Sequence, residues 1–228
     1  MKLRLICVVM LCALFIMNLP VQLSAMTTGF EVEEIPESQI EKIIANLNVN
    51  VFYEEPTKKG IDCFDVSGTG HIAVGSVGND PHVCIYDSNG DFLYGLSFSV
   101  AGAFDIEWND DKLIIYTVRG NNAILVGADG GVEEICSIKD IAENSYYWRK
   151  TINSNIRIVD GNTYEIRTNM GILDHFSPAK TQILVTDSNG VSKIIYDINA
   201  EYTVKFIIII WVVVSTLALV IYHKLRKY

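Results

Sequence analysis

The chain is poor in the residues that build reactive sites. It has four histidines and five cysteines among 228 residues, with no Cys-x-x-Cys and no His-x-x-x-His spacing, so a clustered zinc site has no support. Cys7 and Cys12 fall in the first 25 residues. The remaining three, Cys63, Cys84 and Cys136, are an odd number, which excludes a dense disulfide framework and leaves one bridge plus a free thiol open. Each sits in an apolar strand pattern, where cysteine serves as a small buried hydrophobe. No Gly-x-Ser-x-Gly elbow surrounds any serine. Asp174 and His175 lie near Ser177, but adjacent side chains diverge, and a nucleophilic triad is not expected. Gly68, Gly70 and Gly75 stand between strands with no helix after them, which excludes a phosphate-binding loop. His71 and His82 flank turns. Asp87-Ser88-Asn89-Gly90-Asp91 is like part of a calcium loop but lacks the later bidentate Glu, and hairpin chemistry accounts for it. Asp110-Asp111 and Glu133-Glu134 read as solvated turn and edge residues. No catalytic residue, cofactor or metal is therefore expected.

Acidic residues are absent from both ends. Residues 26–203 hold all 27 acids and 12 of the 18 bases, a net of −15. So acidic a middle argues against nucleic acid as partner and against the domain lying flat on anionic lipid. It supports solubility and suits a cationic partner.

The two ends are apolar with basic flanks. Lys2 and Arg4 precede an uncharged run, Leu5 to Met17, broken by Pro20 and followed by Ser24-Ala25. This pattern predicts a secretory signal over residues 1–25, too short to span a bilayer, which takes about 20 residues. Phe206 to Tyr222 carries no charge, and His223-Lys224-Leu225-Arg226-Lys227 follows at once. The expectation is a transmembrane helix over 204–222 and a basic cytoplasmic tail over 223–228, with the middle of the chain outside the cell membrane.

Residues 26–60 form an acidic N-terminal segment. Ser38 with Glu41 three residues on predicts a capping box, and Ile40, Ile43, Ile44 and Leu47 predict a short amphipathic helix over 39–47. Asn50 to Tyr53 alternates as a strand does.

From residue 61 to 203 the chain repeats. Phe64-Asp65-Val66 recurs as Phe104-Asp105-Ile106, and Gly90 recurs as Gly130, both at a step of 40 residues. That period, in strand-rich sequence, is the size of one four-stranded propeller blade. The expected blades are 61–98, 103–138 and 155–198, each of four antiparallel strands. Asn89-Gly90 predicts a type I′ hairpin turn. Asp187-Ser188-Asn189-Gly190 repeats the turn at Asp87, but Gly190 lies 60 residues after Gly130, so the third unit holds about 20 extra residues. Part of that excess is Ile141 to Thr151, expected as a short helix. It carries Tyr146, Tyr147 and Trp148 beside Arg149 and Lys150, a composition common at binding surfaces and equally suited to capping the blades.

The order of elements resembles bacterial NHL-type β-propeller repeats: Phe64-Asp65-Val66, Gly70, Ile72-Ala73-Val74, Val83-Cys84-Ile85-Tyr86-Asp87, Gly90, Phe92-Leu93. The Val-Ala-Asp and Asn-Arg signatures of that family are replaced by Val74-Gly75-Ser76 and Asp80-Pro81-His82. The resemblance implies an all-β, propeller-like array of about three blades. Three blades leave apolar faces open. A second copy, a partner subunit, or the 39–47 helix with the 141–151 insertion would close them. The functional expectation is a membrane-anchored extracytoplasmic binding or scaffold module with a protein partner or self-association, its small-molecule or glycan ligand unspecified. An accessory subunit of a membrane complex and a propeller-type hydrolase or lyase are the alternatives.

Overall fold

The computed structural model describes residues 26–169 and 179–226. The signal region and the Asp174, His175 and Ser177 group lie outside them. Strand β1 is Val32–Glu34, helix α1 Glu37–Leu47 and strand β2 Asn50–Phe52. Four hairpin-linked strands follow: β3 Cys63–Val66, β4 Ile72–Ser76, β5 His82–Tyr86 and β6 Phe92–Ser97. The next four are β7 Phe104–Asn109, β8 Lys112–Thr117, β9 Asn122–Val126 and β10 Val132–Ile138. Helix α2, Ala142–Tyr147, runs into a π-helical turn, Trp148–Ile152. The last strands are β11 Ile156–Val159, β12 Asn162–Arg167, β13 Gln182–Thr186 and β14 Ser192–Asp197, and helix α3 covers Asn199–Leu225.

The described part is mostly β. Its strands form three antiparallel sheets: sheet one in the order β2-β6-β5-β4-β3, sheet two β1-β10-β9-β8-β7, and sheet three β11-β12-β13-β14. Each expected four-strand unit is thus one sheet. The N-terminal segment adds an outer strand to two of them: β2 on sheet one, a strand the sequence anticipates without its pairing, and β1 on sheet two, which the sequence does not anticipate.

Sheet one lies between the other two. Its inner strands are buried on both faces, and alternation sorts their side chains. Cys63, Ala73, Val83 and Ile85 meet Phe104, Ile106, Leu113, Ile115 and Ile124 of sheet two. Phe64, Val66, Ile72, Val74 and Tyr86 meet Tyr164, Ile166, Ile183 and Tyr196 of sheet three. The far face of sheet two, with Ile114, Tyr116, Ala123 and Leu125, is covered by Phe30, Tyr147, Trp148 and Ile152. Full burial of one such aliphatic side chain contributes about 1.5–3 kcal/mol. The far face of sheet three is uncovered at Ile156, Ile158 and Ile194, which are 48 %, 73 % and 42 % exposed.

Two local expectations are corrected. Helix α1 starts at Glu37 with Pro36 as N-cap and no side-chain cap. The Pro36 carbonyl already accepts from Gln39 N at 2.8 Å, so Ser38 lies inside the first turn and the Ser38–Glu41 capping box does not form. The turn at Asn89-Gly90 is not type I′, since Gly90 has φ 92° but Asn89 is not among the positive-φ residues. Gly90 N donates to Asp87 O at 3.1 Å, and Asp87 Oδ1 accepts from Asn89 N at 2.8 Å and Asp91 N at 2.9 Å. This is an Asx-stabilised type I turn with a left-handed glycine, and a bulge follows between Ile85 and Tyr86 in the pairing of β5 with β6. Asp187 repeats the arrangement. The apolar helix contains the expected span over 204–222 and begins ahead of it, at Asn199. Asp197 Oδ1 accepts from Asn199 N at 2.8 Å, which starts the helix straight from β14.

α3 is long and apolar enough to cross a membrane, with a mean hydropathy of 2.2 in its most apolar stretch. Its 27 residues span about 40 Å. Ile207 to Val214 are exposed all round the helix, as a lipid-facing surface requires.

Candidate functional site

The innermost strands β3, β7 and β11 lie together, and the repeat brings equivalent positions to one place. Asp65, Asp105 and Arg157 each follow the first residue of their apolar-charged-apolar strand motif. Arg157 Nε donates to Asp65 Oδ1 at 2.6 Å. Nη1 donates to Ser154 O at 2.8 Å and Ile156 O at 3.1 Å, while Nη2 donates to Ile152 O at 3.0 Å and Phe64 O at 3.2 Å. The guanidinium also stacks 5.0 Å from the centre of the Phe64 ring. All of its donors are used, and it ties sheets one and three to the π-helical turn. Asp65 Oδ2 accepts from Trp108 N at 2.7 Å, which adds sheet two. Burial pushes the Asp65 carboxyl up, and Arg157 and the Trp108 amide pull it back. Asp105 is pushed up to about 6, first by burial and then by Asp62, against the pull of Arg157.

Beside this junction lies an open cleft of about 740 Å³. The β3–β4 turn contributes Thr69 and His71, β6 contributes Tyr94, and β7 with its following turn contributes Glu107, Trp108, Asp110 and Asp111; Asp65 forms part of the wall. Asp110 sits at φ 57°, a left-handed conformation that Asp tolerates in a tight turn. The His71 ring centre is 6.4 Å from that of Trp108. The Trp108 indole N–H is buried and has no hydrogen-bond partner among the described residues. Asp65 is held by Arg157 and the Trp108 amide, and Glu107 by two tyrosine hydroxyls, so it is Asp110 and Asp111 that, with an indole, a phenol and an imidazole, can hold cationic and hydroxyl groups while stacking an apolar face.

Glu107 links the cleft to the aromatic insertion. It accepts from Tyr147 Oη at 2.5 Å and from Tyr116 Oη. Phe30 packs edge-on against Tyr147 at 4.8 Å and Tyr116 at 4.9 Å, and Trp148 lies 5.2 Å from Phe30. Burial, followed by Glu107, raises the Tyr147 hydroxyl above its ordinary value. Of the predicted triplet, Tyr147 and Trp148 therefore face inward onto sheet two, and Tyr146 is 59 % exposed. Gly29 is the counterpart that sequence reasoning missed: a Cβ there would meet the Tyr147 ring at 2.2 Å.

The other candidates are dispersed. His82 is buried at the start of β5, its Nδ1 2.8 Å from Asp80 O. Glu133 pairs with Lys112 at 2.5 Å. Cys63, Cys84 and Cys136 are unpaired and buried. Among the described residues no group of three or more His, Cys, Asp or Glu side chains is arranged to hold a metal ion. The sequence reads Asp110-Asp111 as solvated and His71 as a turn residue. Their convergence with Tyr94 and Trp108 depends on how sheets one and two face each other, which no local pattern encodes.

No protein-family profile and no curated protein matches the chain. Among solved structures, a crystal structure of a protein of unknown function from Bacteroides caccae aligns at 10 % identity and a TM-score of 0.32, covering 67 % of this chain and 72 % of the other.

Proposed function

We propose that the protein is a single-pass, membrane-anchored binding module whose domain stands outside the cell membrane, with α3 as the span and the basic residues after Tyr222 in the cytoplasm. The 40-residue period and the meeting of β3, β7 and β11 support reading the three sheets as propeller-like blades. The observation that carries the binding role is the cleft, where acids and aromatic rings line one open volume. Its chemistry suits a ligand bearing amines and hydroxyls on a partly apolar ring, as in an amino sugar. Binding of glucosamine oligosaccharides to the full chain in detergent, followed by calorimetry, tests this. Binding should weaken when the amines are acetylated and in Trp108→Ala and Asp110→Asn/Asp111→Asn variants. Equal heats for charged and acetylated oligomers, or variants that bind as the parent does, would refute the cleft.

A second reading has its own support. The uncovered Ile156, Ile158 and Ile194 on sheet three favour a protein partner or a second copy on that face. Light scattering of the full chain in detergent should then give a mass above the monomer, and Ile158→Lys should return it to the monomer.

A further inference from the structure

No slack linker separates the domain from its helix. β14 ends at Asp197 and α3 begins at Asn199. The Thr181 hydroxyl bonds the Asn199 side chain. Tyr202, on the first turn of α3, packs against the core between sheets one and three. Its hydroxyl lies 2.8 Å from where a Cβ on Gly60 would stand, so the absence of a side chain at Gly60 is what lets helix and domain close. Tyr196 Oη donates to Lys59 O at 2.7 Å, and Ile61 N donates to Lys180 O at 2.9 Å. Lys58 holds its Nζ 5.1 Å from the Tyr196 ring, and Lys205 its own 5.5 Å from the Tyr202 ring. Lysines thus surround the point where the chain leaves the domain.

The height of this ring follows from helix geometry. Tyr202 precedes Phe206, the first residue of the uncharged run, by one helical turn, about 6 Å at 1.5 Å per residue. The headgroup layer on each side of a bilayer is about 5–7 Å thick. With Phe206 entering the hydrocarbon, Gly60 and its flanking lysines stand at headgroup level.

We propose that the base of the domain docks on the bilayer through lipid headgroup phosphates bound by Lys58, Lys59, Lys180 and Lys205. The proposal rests on α3 being a membrane span. Lys180 and Lys205 have no ion pair among the described residues. Lys58 and Glu55 are 3.4 Å apart, and Lys59 and Asp80 3.7 Å apart, with all four side chains substantially exposed. Such exposed pairs are weak, and exchange of the carboxylate for a phosphate costs little. The other acids at this end are partly engaged: Asp62 accepts from Val77 N at 2.6 Å, and Asp197 from Gln182 and Asn199. Glu201 is exposed and opposes the lysines. The net negative charge of the domain still keeps its remaining surface off anionic lipid, so the contact is confined to the base and the cleft stays in solvent.

Hydrogen exchange of the full chain in nanodiscs tests this. Amides of residues 57–61 and 179–181 should exchange about tenfold more slowly when phosphatidylglycerol is added to phosphatidylcholine, since each lysine near an anionic surface contributes attraction. The protection should vanish at high salt, and in a Lys58→Gln/Lys59→Gln/Lys180→Gln variant that retains the parent's exchange in sheet two. Identical exchange in both lipids would overturn the docking. Flotation of the chain with vesicles after an alkaline carbonate wash reports the span separately: a chain that floats but shows no lipid-dependent protection fails the docking alone, and a chain that is stripped off fails the span as well.

Discussion

Arg157 and Asp65 lie 92 residues apart and meet through a single 2.6 Å hydrogen bond at the point where the three sheets converge. Their side chains are 13 % and 10 % exposed, so this is a largely buried ion pair. Pairs of this kind contribute modestly as a unit, but loss of one partner leaves an uncompensated charge. The arginine also donates to four backbone carbonyls, and an aliphatic replacement removes all of these bonds.

Arg157→Met should therefore destabilise the domain by about 3–5 kcal/mol, and Asp65→Asn in the same chain should restore part of the loss. Urea unfolding of the detergent-solubilised chain, read by the fluorescence of Trp108 and Trp148, measures both. An unchanged midpoint for Arg157→Met would mean that the junction bears no load.

Asp105 sets a pH dependence. Its folded value of about 6 lies above the 3.8 of the free side chain, so the folded state holds the proton more tightly. The resulting stabilisation is full below about pH 3.8 and is lost as pH rises through about 6. Asp65 is raised in the same direction and adds the same sign. Asp105→Asn should raise stability by about 3 kcal/mol above that window and by much less below it, because each tenfold difference in proton affinity between folded and unfolded chain is worth about 1.4 kcal/mol and the shift is about two such steps. Unfolding midpoints of parent and variant across this range check it; a constant difference would contradict the assignment.

The thiols should be inert. Burial pushes Cys84 up to about 12 and Cys136 up to about 11, and it raises Cys63 well above its usual value. All three stay protonated near neutral pH, and the thiolate is the reactive form. Mass spectrometry after exposure to iodoacetamide should find no modification of the three in the native chain and full modification in urea.

The insertion separates a structural role from an exposed one. Trp148→Ala should cost about 2–4 kcal/mol by emptying space between Phe30 and Tyr116. Gly29→Ala should cost about 1–3 kcal/mol by driving Tyr147 from its place. Tyr146→Ala should leave thermal unfolding within the error of the parent.

Strands were the most legible part of this chain. Alternating Val, Ile, Tyr and Phe between Asp, Asn and Gly turns encode β3 to β14 locally, and these strands fall, four by four, inside the expected blades 61–98, 103–138 and 155–198. The order three-one-two was not legible, because it depends on which face of Cys63–Val66 meets Phe104 and which meets Ile166. β1 was missed because Val32-Glu33-Glu34 is short and acidic, and becomes a strand only through pairing with Cys136 to Ile138. Ser38 misled because its hydroxyl suits a cap, yet the Pro36 carbonyl starts the helix first. At the junction the recurring Asp was visible as a repeat landmark. Its partner was hidden, since the third copy of that position carries Arg157, and only the folded chain brings opposite charges together. The cleft was invisible for a similar reason: its acids and rings come from turns and strands of two sheets.

Labelling from one side of the membrane tests the proposed placement of the domain most directly. Tyr146→Cys and Tyr228→Cys variants, expressed in intact cells, are treated with a membrane-impermeant maleimide, with the buried native thiols supplying little background. The account predicts that Tyr146→Cys is labelled on intact cells and Tyr228→Cys only after permeabilisation. The reverse pattern, or labelling of both only after lysis, would contradict it.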